Sequence, residues 1–126
     1  MIDKNISILV VDDFQTMTKL MRYLLRSLGF KNVDEAYDGG TALHKLSEKE
    51  YGLIISDWNM EPVSGLDLLK HLRAQGNSIP FIMVTAENKT DSVIEAKQAG
   101  VTNYIVKPYN ATTLRNKLVS VFGEFQ

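Results

Sequence analysis

The 126-residue sequence contains no cysteine, which excludes disulfide bonds, thiolate metal sites and a thiol nucleophile. It also lacks a long apolar stretch: the longest runs are four residues, against roughly 20 needed to span a bilayer, and the start MIDKNIS does not resemble a signal peptide. Fourteen basic residues nearly balance fifteen acidic ones, so bulk charge does not favour nucleic-acid or membrane binding. We therefore expect a cytoplasmic, monomeric protein whose partners are proteins or a small ion.

Four short apolar runs rich in β-branched residues predict strands buried on both faces, as in a parallel sheet. A fifth run is half polar and fits an edge of that sheet. Stretches with helical spacing lie between them, and in the first of these the apolar residues share one face until Gly29 ends the helix. The predicted strands are 8–11, 33–36, 53–55, 81–84 and 104–106, and the predicted helices are 17–28, 40–48, 64–74, 90–99 and one that Asn110 caps.

Strand and helix alternate five times, which predicts one α/β domain over residues 1–126. The interval between successive strands, roughly 19 to 28 residues, fits one strand and one helix. Right-handed crossovers then give a doubly wound, five-stranded parallel sheet with helices on both faces. The natural strand order is the flavodoxin-like 2-1-3-4-5.

Polar residues follow the predicted strands: Asp12 and Asp13 after the first, Asp57 after the third, Thr85 after the fourth and Lys107 after the fifth. Ligands of such sheets bind at these strand ends, so the three aspartates should converge. Like charges about 4 Å apart repel by roughly 1 to 4 kcal/mol, which favours a bound hard cation, and the absence of an EF-hand loop favours Mg²⁺. The alternatives are helix capping for Asp12 and Asp13 and an ordinary loop position for Asp57.

These residue types favour phosphoryl transfer onto Asp57. A carboxylate beside Mg²⁺ would be the nucleophile, and the Lys107 ammonium and the Thr85 hydroxyl would stabilise the phosphoryl oxygens. On its own, Lys107 would be an ordinary surface lysine. No glycine-rich nucleotide-binding loop follows any predicted strand, so nucleotide binding by that route is not expected.

The motifs at these strand ends resemble those of bacterial two-component receiver domains, in particular the stand-alone chemotaxis response regulators. The resemblance covers the whole chain, and the motifs together are highly specific. It implies that Asp57 accepts a phosphoryl group from a histidine kinase or from a small donor such as acetyl phosphate. The motifs are ILVVDDF at 8–14, ISDWNM at 55–60, GLDLLK at 65–70, MVTAE at 83–87 and AGVTNYIVKPY at 99–109.

The same resemblance implies a metal site. Asp13, Asp57 and the backbone carbonyl of Asn59 would be Mg²⁺ ligands, and Asp12 would act largely through water. By analogy, the Lys107–Pro108 peptide bond is expected to be cis, which would aim the lysine inward.

The resemblance also implies a switch made of Thr85 and Tyr104. Thr85 would move towards the phosphoryl group, and the Tyr104 ring would fill the space that it leaves; simple core packing is the alternative for Tyr104. Asn59 and Glu87 lie two residues beyond Asp57 and Thr85, at the predicted mouth of the pocket. We expect them to set the lifetime of the phosphorylated state, and ordinary exposed loop positions are the alternative.

The sequence departs from the family pattern in the segment Met60-Glu61-Pro62-Val63-Ser64-Gly65, because the family usually has proline directly after the methionine position and aspartate before the glycine. This departure bears on the loop conformation and on partner contacts, not on phosphorylation. Tyr109 stands where phenylalanine is common. His44 and His71 lie among polar neighbours on predicted helices and are expected to be solvated, with no phosphorelay role.

The leading interpretation is a non-enzymatic phosphorylation switch that acts by docking to another protein. The resemblance suggests a sensor histidine kinase upstream and a flagellar motor switch protein downstream, with docking on the fourth helix, fifth strand and fifth helix. A phosphate sink or a phosphorelay intermediate is the alternative. An aspartyl-phosphate phosphohydrolase is disfavoured, because such enzymes need an acid two residues beyond the nucleophile after the first strand, and Phe14 stands two residues beyond Asp12.

Overall fold

The computed structural model describes residues 3–86 and 90–123, and strands and helices alternate along them as predicted. The strands are β1 (Ile8–Val11), β2 (Val33–Ala36), β3 (Leu53–Asp57), β4 (Phe81–Thr85) and β5 (Asn103–Val106). The helices are α1 (Gln15–Ser27), α2 (Gly39–Glu48), α3 (Gly65–Ala74), α4 (Thr90–Gln98) and α5 (Ala111–Phe122). None of the helices in this described part is long and apolar enough to cross a bilayer.

All five strands form one parallel sheet in the order β2-β1-β3-β4-β5, which confirms the doubly wound, flavodoxin-like prediction. Successive residues of a strand face opposite sides of the sheet, so each strand contributes to two hydrophobic clusters. Ile8 and Val10 face α1 and α5, whose Leu25 and Leu114 complete the first cluster. The alternate residues of β1 face the second cluster, to which α2 and α3 contribute.

Side-chain caps begin three of the helices. In each of them, a side-chain oxygen accepts a backbone N–H group of the first turn. The oxygen belongs to the Asp38 carboxylate in α2, the Ser64 hydroxyl in α3 and the Asn110 amide in α5. Phe14 occupies the N-cap position of α1 and makes no side-chain cap bond. Asp12 and Asp13 precede this cap position, and the Asp12 carboxylate accepts the backbone N–H of Phe14 at 3.0 Å.

Two strands extend further at their carboxyl ends than their apolar runs predicted. Asp57 is the last residue of β3 and pairs with Val84, and Thr85 is the last residue of β4 and pairs with Val106. The ladder is made by backbone groups, so it continues past the point where the side chains become polar. Both side chains are therefore fixed by the sheet itself.

Candidate functional site

The pairing of β1 with β3 brings the acidic residues together. Val11 is paired with Ser56, so the next residues along each strand, Asp12 and Asp57, lie side by side at the carboxyl edge of the sheet. One carboxylate oxygen from each of Asp12, Asp13 and Asp57 lies within 4.8 Å of the others. Asp12 is only 7% exposed and Asp57 only 5%, whereas Asp13 is exposed. The predicted convergence of the three aspartates is confirmed.

The carboxyl group of Asp12 is harder to ionise than that of an ordinary aspartate. Burial raises its pKa from 3.8 to about 6, and the negative charges of Asp57 and Asp13 add to this rise. Two contacts act in the opposite direction: the backbone N–H of Phe14, which donates to Asp12 Oδ1 at 3.0 Å, and the positive charge of Lys107. Because burial is the largest cause, the raised pKa means that the ionised form of Asp12 is disfavoured in the folded chain.

Lys107 lies directly against the predicted phosphoacceptor. Its Nζ atom is 2.8 Å from Asp57 Oδ1, and the backbone N–H of Lys107 donates to the Thr85 carbonyl at 2.8 Å. The same Asp57 oxygen is buried and accepts no hydrogen bond of good geometry from the described residues, so the lysine contact is an ion pair. The Lys107–Pro108 bond is cis, as the resemblance implied.

Thr85 and Tyr104 lie on the same face of the sheet. Thr85 is buried at the end of β4 and pairs with Val106, whereas Tyr104 pairs with Met83, two residues earlier on each strand. The two side chains are therefore diagonal neighbours, a separation that an aromatic ring can span. The Tyr104 ring is half-buried against the second hydrophobic cluster, so it is part core residue and part surface residue.

The loop after β3 depends on a glycine whose role the sequence analysis missed. The backbone N–H of Gly65 donates to the Trp58 carbonyl at 2.9 Å, which closes the loop. A Cβ atom at Gly65 would overlap the Asp57 carbonyl oxygen and lie 2.8 Å from Met83 Sδ. The sequence signal was a glycine directly after the serine cap of a helix, where a larger residue would ordinarily be tolerated.

Asn59 is exposed and lines a shallow hollow with Asp13, next to the acidic cluster. Its placement beside the cluster agrees with the predicted position at the mouth of the pocket. Glu87, the other residue expected to set the phosphoryl lifetime, lies outside the described residues.

The segment that departs from the family pattern lines the same hollow. Met60, Glu61 and Ser64 lie along it, and the Glu61–Pro62 bond is cis. Met60 is buried in the second hydrophobic cluster, which anchors the loop, while Glu61 is exposed. The departure therefore changes the surface beside the acidic cluster.

Tyr109 is a second residue whose position sequence reasoning did not identify. It packs against the first hydrophobic cluster and lines a small cleft with Asp12 and Asp57. Burial, and then the charges of these two carboxylates, raise the pKa of the Tyr109 phenol to about 12. The phenol therefore stays neutral at physiological pH and adds no further charge to the site.

The two histidines lie away from this edge. His44 and His71 are exposed on α2 and α3, and His44 Nε2 is 2.8 Å from Glu48 on the same helix. The expectation that both are solvated is confirmed.

The donor set fits Mg²⁺. Three carboxylates converge, Asp57 Oδ1 lacks a well-directed donor among the described residues, and burial, with a smaller contribution from the neighbouring carboxylates, raises the pKa of Asp12, a cost of ionisation that a dication would offset. All of these candidate ligands are oxygen atoms, as a hard cation prefers. With the Thr85 hydroxyl at the end of β4 and the Lys107 ammonium directly after β5, the arrangement is suited to holding a phosphoryl group on Asp57.

Comparison with known proteins gives a consistent result. The sequence matches the family described as the response regulator receiver domain over residues 8–119. It is 49% identical over 123 residues to the chemotaxis protein CheY-3 of Vibrio cholerae serotype O1, an alignment that covers 96% of this chain and 95% of that protein.

Solved structures agree with the sequence matches. The chemotaxis response regulator CheY4 of Vibrio cholerae superposes with a TM-score of 0.87 at 32% identity, covering 94% of this chain and 99% of that one. The receiver domain of a sensor histidine kinase from Pseudomonas aeruginosa PAO1 superposes with a TM-score of 0.83 at 28% identity, covering 95% and 99%. That structure has a magnesium ion coordinated in its active-site cleft.

Proposed function

Because the chain belongs to the response regulator receiver domain family, we propose that it is a CheY-like switch whose state is set by phosphorylation of Asp57. The observation that carries this proposal is the convergence of three carboxylates within 4.8 Å, with Lys107 Nζ 2.8 Å from Asp57. Residues 1–126 would form one receiver domain in the cytoplasm that acts as a monomer and without enzymatic turnover of a substrate.

In the proposed reaction, a carboxylate oxygen of Asp57 attacks the phosphorus of a phosphohistidine on a sensor kinase. The phosphorus–nitrogen bond breaks, a phosphorus–oxygen bond to Asp57 forms, and the histidine leaves as neutral imidazole after taking a proton from solvent. Acetyl phosphate would react in the same way and release acetate. The Lys107 ammonium would pair with the Asp57 carboxylate before the reaction and with a phosphoryl oxygen after it. The Thr85 hydroxyl would donate a hydrogen bond to another phosphoryl oxygen.

Mg²⁺ would be held by Asp13, Asp57 and the backbone carbonyl of Asn59, with Asp12 acting largely through water. When bound, the cation would supply positive charge that offsets the repulsion between the carboxylates and the incoming phosphoryl group. Asn59 and Glu87 would control the later entry of water, which regenerates Asp57 and releases inorganic phosphate.

The output would be a protein contact. Occupation of the site would draw Thr85 towards the phosphoryl group and let the Tyr104 ring turn inward, which changes the surface made by α4, β5 and α5. The similarity to chemotaxis proteins supports a flagellar motor switch protein as the target. Nucleic acid and membrane are not expected partners, given the balanced charge.

Labelling with acetyl phosphate tests the phosphorylation. In the presence of Mg²⁺, the wild-type protein should gain the mass of one phosphoryl group. Asp57→Asn should gain none, although it should remain folded. Asp3→Asn is a matched control, since Asp3 is exposed, lies outside the site and accepts its hydrogen bond through an oxygen that asparagine retains. Full labelling of Asp57→Asn would place the phosphoacceptor elsewhere.

A pull-down with the motor switch protein tests the output. We expect the phosphorylated protein to bind at least tenfold more tightly than the unphosphorylated one. Transfer of the phosphoryl group to a second histidine protein, without binding to the motor, would instead indicate a relay or a phosphate sink.

A further inference from the structure

Lys117 on α5 contacts the Tyr104 ring. Its Nζ atom lies 4.8 Å from the ring centroid, within the range of a cation–π interaction. The same atom is 3.5 Å from Asn103 Oδ1, which accepts the backbone N–H of Tyr104 at 2.8 Å. Asn103 Nδ2 also donates to Ser120 Oγ at 3.2 Å. Side chains of α5 therefore contact the ring of Tyr104 directly and its backbone through Asn103.

The ring is the main partner of the Lys117 charge. Residues 111–122, which form α5, include no acidic residue, and within the described part of the chain Lys117 has no carboxylate at ion-pair distance. The distance to Asn103 is at the outer limit of a hydrogen bond. Lys117 is also half-buried, as is common for a lysine that buries its stem while its ammonium group stays near the surface.

The geometry points to Lys117 as a positioning residue of the switch, and we propose that it holds Tyr104 in the half-exposed orientation and opposes the inward turn. The inference rests on the switch role proposed above for Tyr104. An inward turn would carry the ring away from the ammonium group, so the cation–π contact is made in one orientation only. A contact that is made in only one of two states favours that state by the free energy of the contact. A cation–π interaction at a partly exposed site changes the ratio of the two ring orientations about two- to fivefold.

The consequence is that charge at position 117 sets the threshold of the switch. Removing the charge should raise the inward population before any phosphoryl group is bound. The unphosphorylated protein should then bind its target about two- to fivefold more tightly, while the fully phosphorylated protein, in which the ring is already inward, should change little.

The test compares Lys117→Met, Lys117→Arg and Lys70→Met with the wild-type protein. Methionine keeps an unbranched apolar stem over the ring without the charge, and arginine keeps a cation that stacks on aromatic rings. Lys70 is exposed on α3, so Lys70→Met controls for the loss of one positive charge. Each protein carries ¹³C-labelled tyrosine, and the Tyr104 ring signal is assigned by its absence in Tyr104→Phe.

Two readouts are taken without phosphorylation: the chemical shift of the Tyr104 ring signal and its relaxation by a soluble neutral nitroxide, which measures ring exposure. We expect Lys117→Met to lower the ratio of half-exposed to inward ring about two- to fivefold, and Lys117→Arg and Lys70→Met to match the wild-type protein. A Tyr104 signal unchanged in Lys117→Met, or moved equally in Lys117→Arg, would overturn the proposal. Failure of Asp57 to accept a phosphoryl group would contradict the proposed function alone, since neither readout requires phosphorylation.

Discussion

Replacing Asp12 with asparagine should stabilise the protein when no divalent cation is present. Asp12 is a buried carboxyl group whose pKa rises from 3.8 to about 6 on folding, so its ionised form is disfavoured in the folded state. One pKa unit corresponds to about 1.36 kcal/mol, which makes the penalty about 3 kcal/mol at most at neutral pH. Asparagine keeps an oxygen for the Phe14 N–H but places an amide group among carboxylates, so we expect a net gain of about 1 to 3 kcal/mol.

The pH dependence identifies the cause. A raised carboxyl pKa means that the folded state binds the proton more tightly, so the penalty is absent below pH 3.8 and fully developed above about pH 6. The difference in unfolding free energy between Asp12→Asn and the wild-type protein should therefore be near zero at pH 4 and grow through pH 5 and 6 to a plateau.

Urea unfolding in the presence of a chelator, followed by circular dichroism across this pH range, measures the difference. Glu50→Gln is the matched control, because Glu50 is exposed and lies away from the acidic cluster, and it should stay within about 0.5 kcal/mol of the wild-type protein at every pH. Saturating Mg²⁺ should shrink the gain from Asp12→Asn, since bound cation stabilises the wild-type site. A gain that is independent of pH, or a loss at pH 7.5, would refute the electrostatic reasoning.

Four further predictions follow from the site. Mg²⁺ should change the fluorescence of Trp58, the only tryptophan in the sequence. The affinity for Mg²⁺ should weaken as pH falls through 6, because protons then compete with the cation for Asp12. Trp58 emission that does not change at millimolar Mg²⁺ would contradict the site assignment. Thr85→Ala should still accept a phosphoryl group but lose most phosphorylation-dependent binding, and additive effects with Tyr104→Ala in a double-mutant cycle would exclude their coupling. Asn59→Arg should slow phosphate loss several-fold, while Mg²⁺ should still bind through the backbone carbonyl of this residue. The rate is measured as the decay of the phosphoryl signal after the donor is removed, and an unchanged rate would contradict the prediction. Gly65→Ala should cost about 1 to 3 kcal/mol in urea unfolding, because its methyl group would overlap the Asp57 carbonyl oxygen at the end of β3, and an unchanged midpoint would show that the loop can shift to accommodate it.

The sequence by itself determined the fold and the convergence of the aspartates at the candidate site. Apolar runs of strand length, separated by helical spacing, allow few topologies because crossovers between parallel strands are right-handed. Once the order 2-1-3-4-5 is assumed, Asp12 and Asp57 must be neighbours, since they lie at the carboxyl ends of adjacent strands, Asp12 directly after β1 and Asp57 as the last residue of β3. Their convergence could therefore be predicted from their positions alone, without any knowledge of side-chain packing.

The tertiary structure decided what depends on contacts between residues distant in the chain. Gly65 is required because the Asp57 carbonyl approaches it closely, and Tyr109 shares a cleft with Asp12. Neither contact could be predicted from the spacing of apolar residues in the sequence. The raised pKa of Asp12 likewise depends on burial, which is a property of the packed molecule and not of the residue type. Lys117 is an ordinary helical lysine in the sequence, and only the packing of α5 beside β5 brings its charge over an aromatic ring.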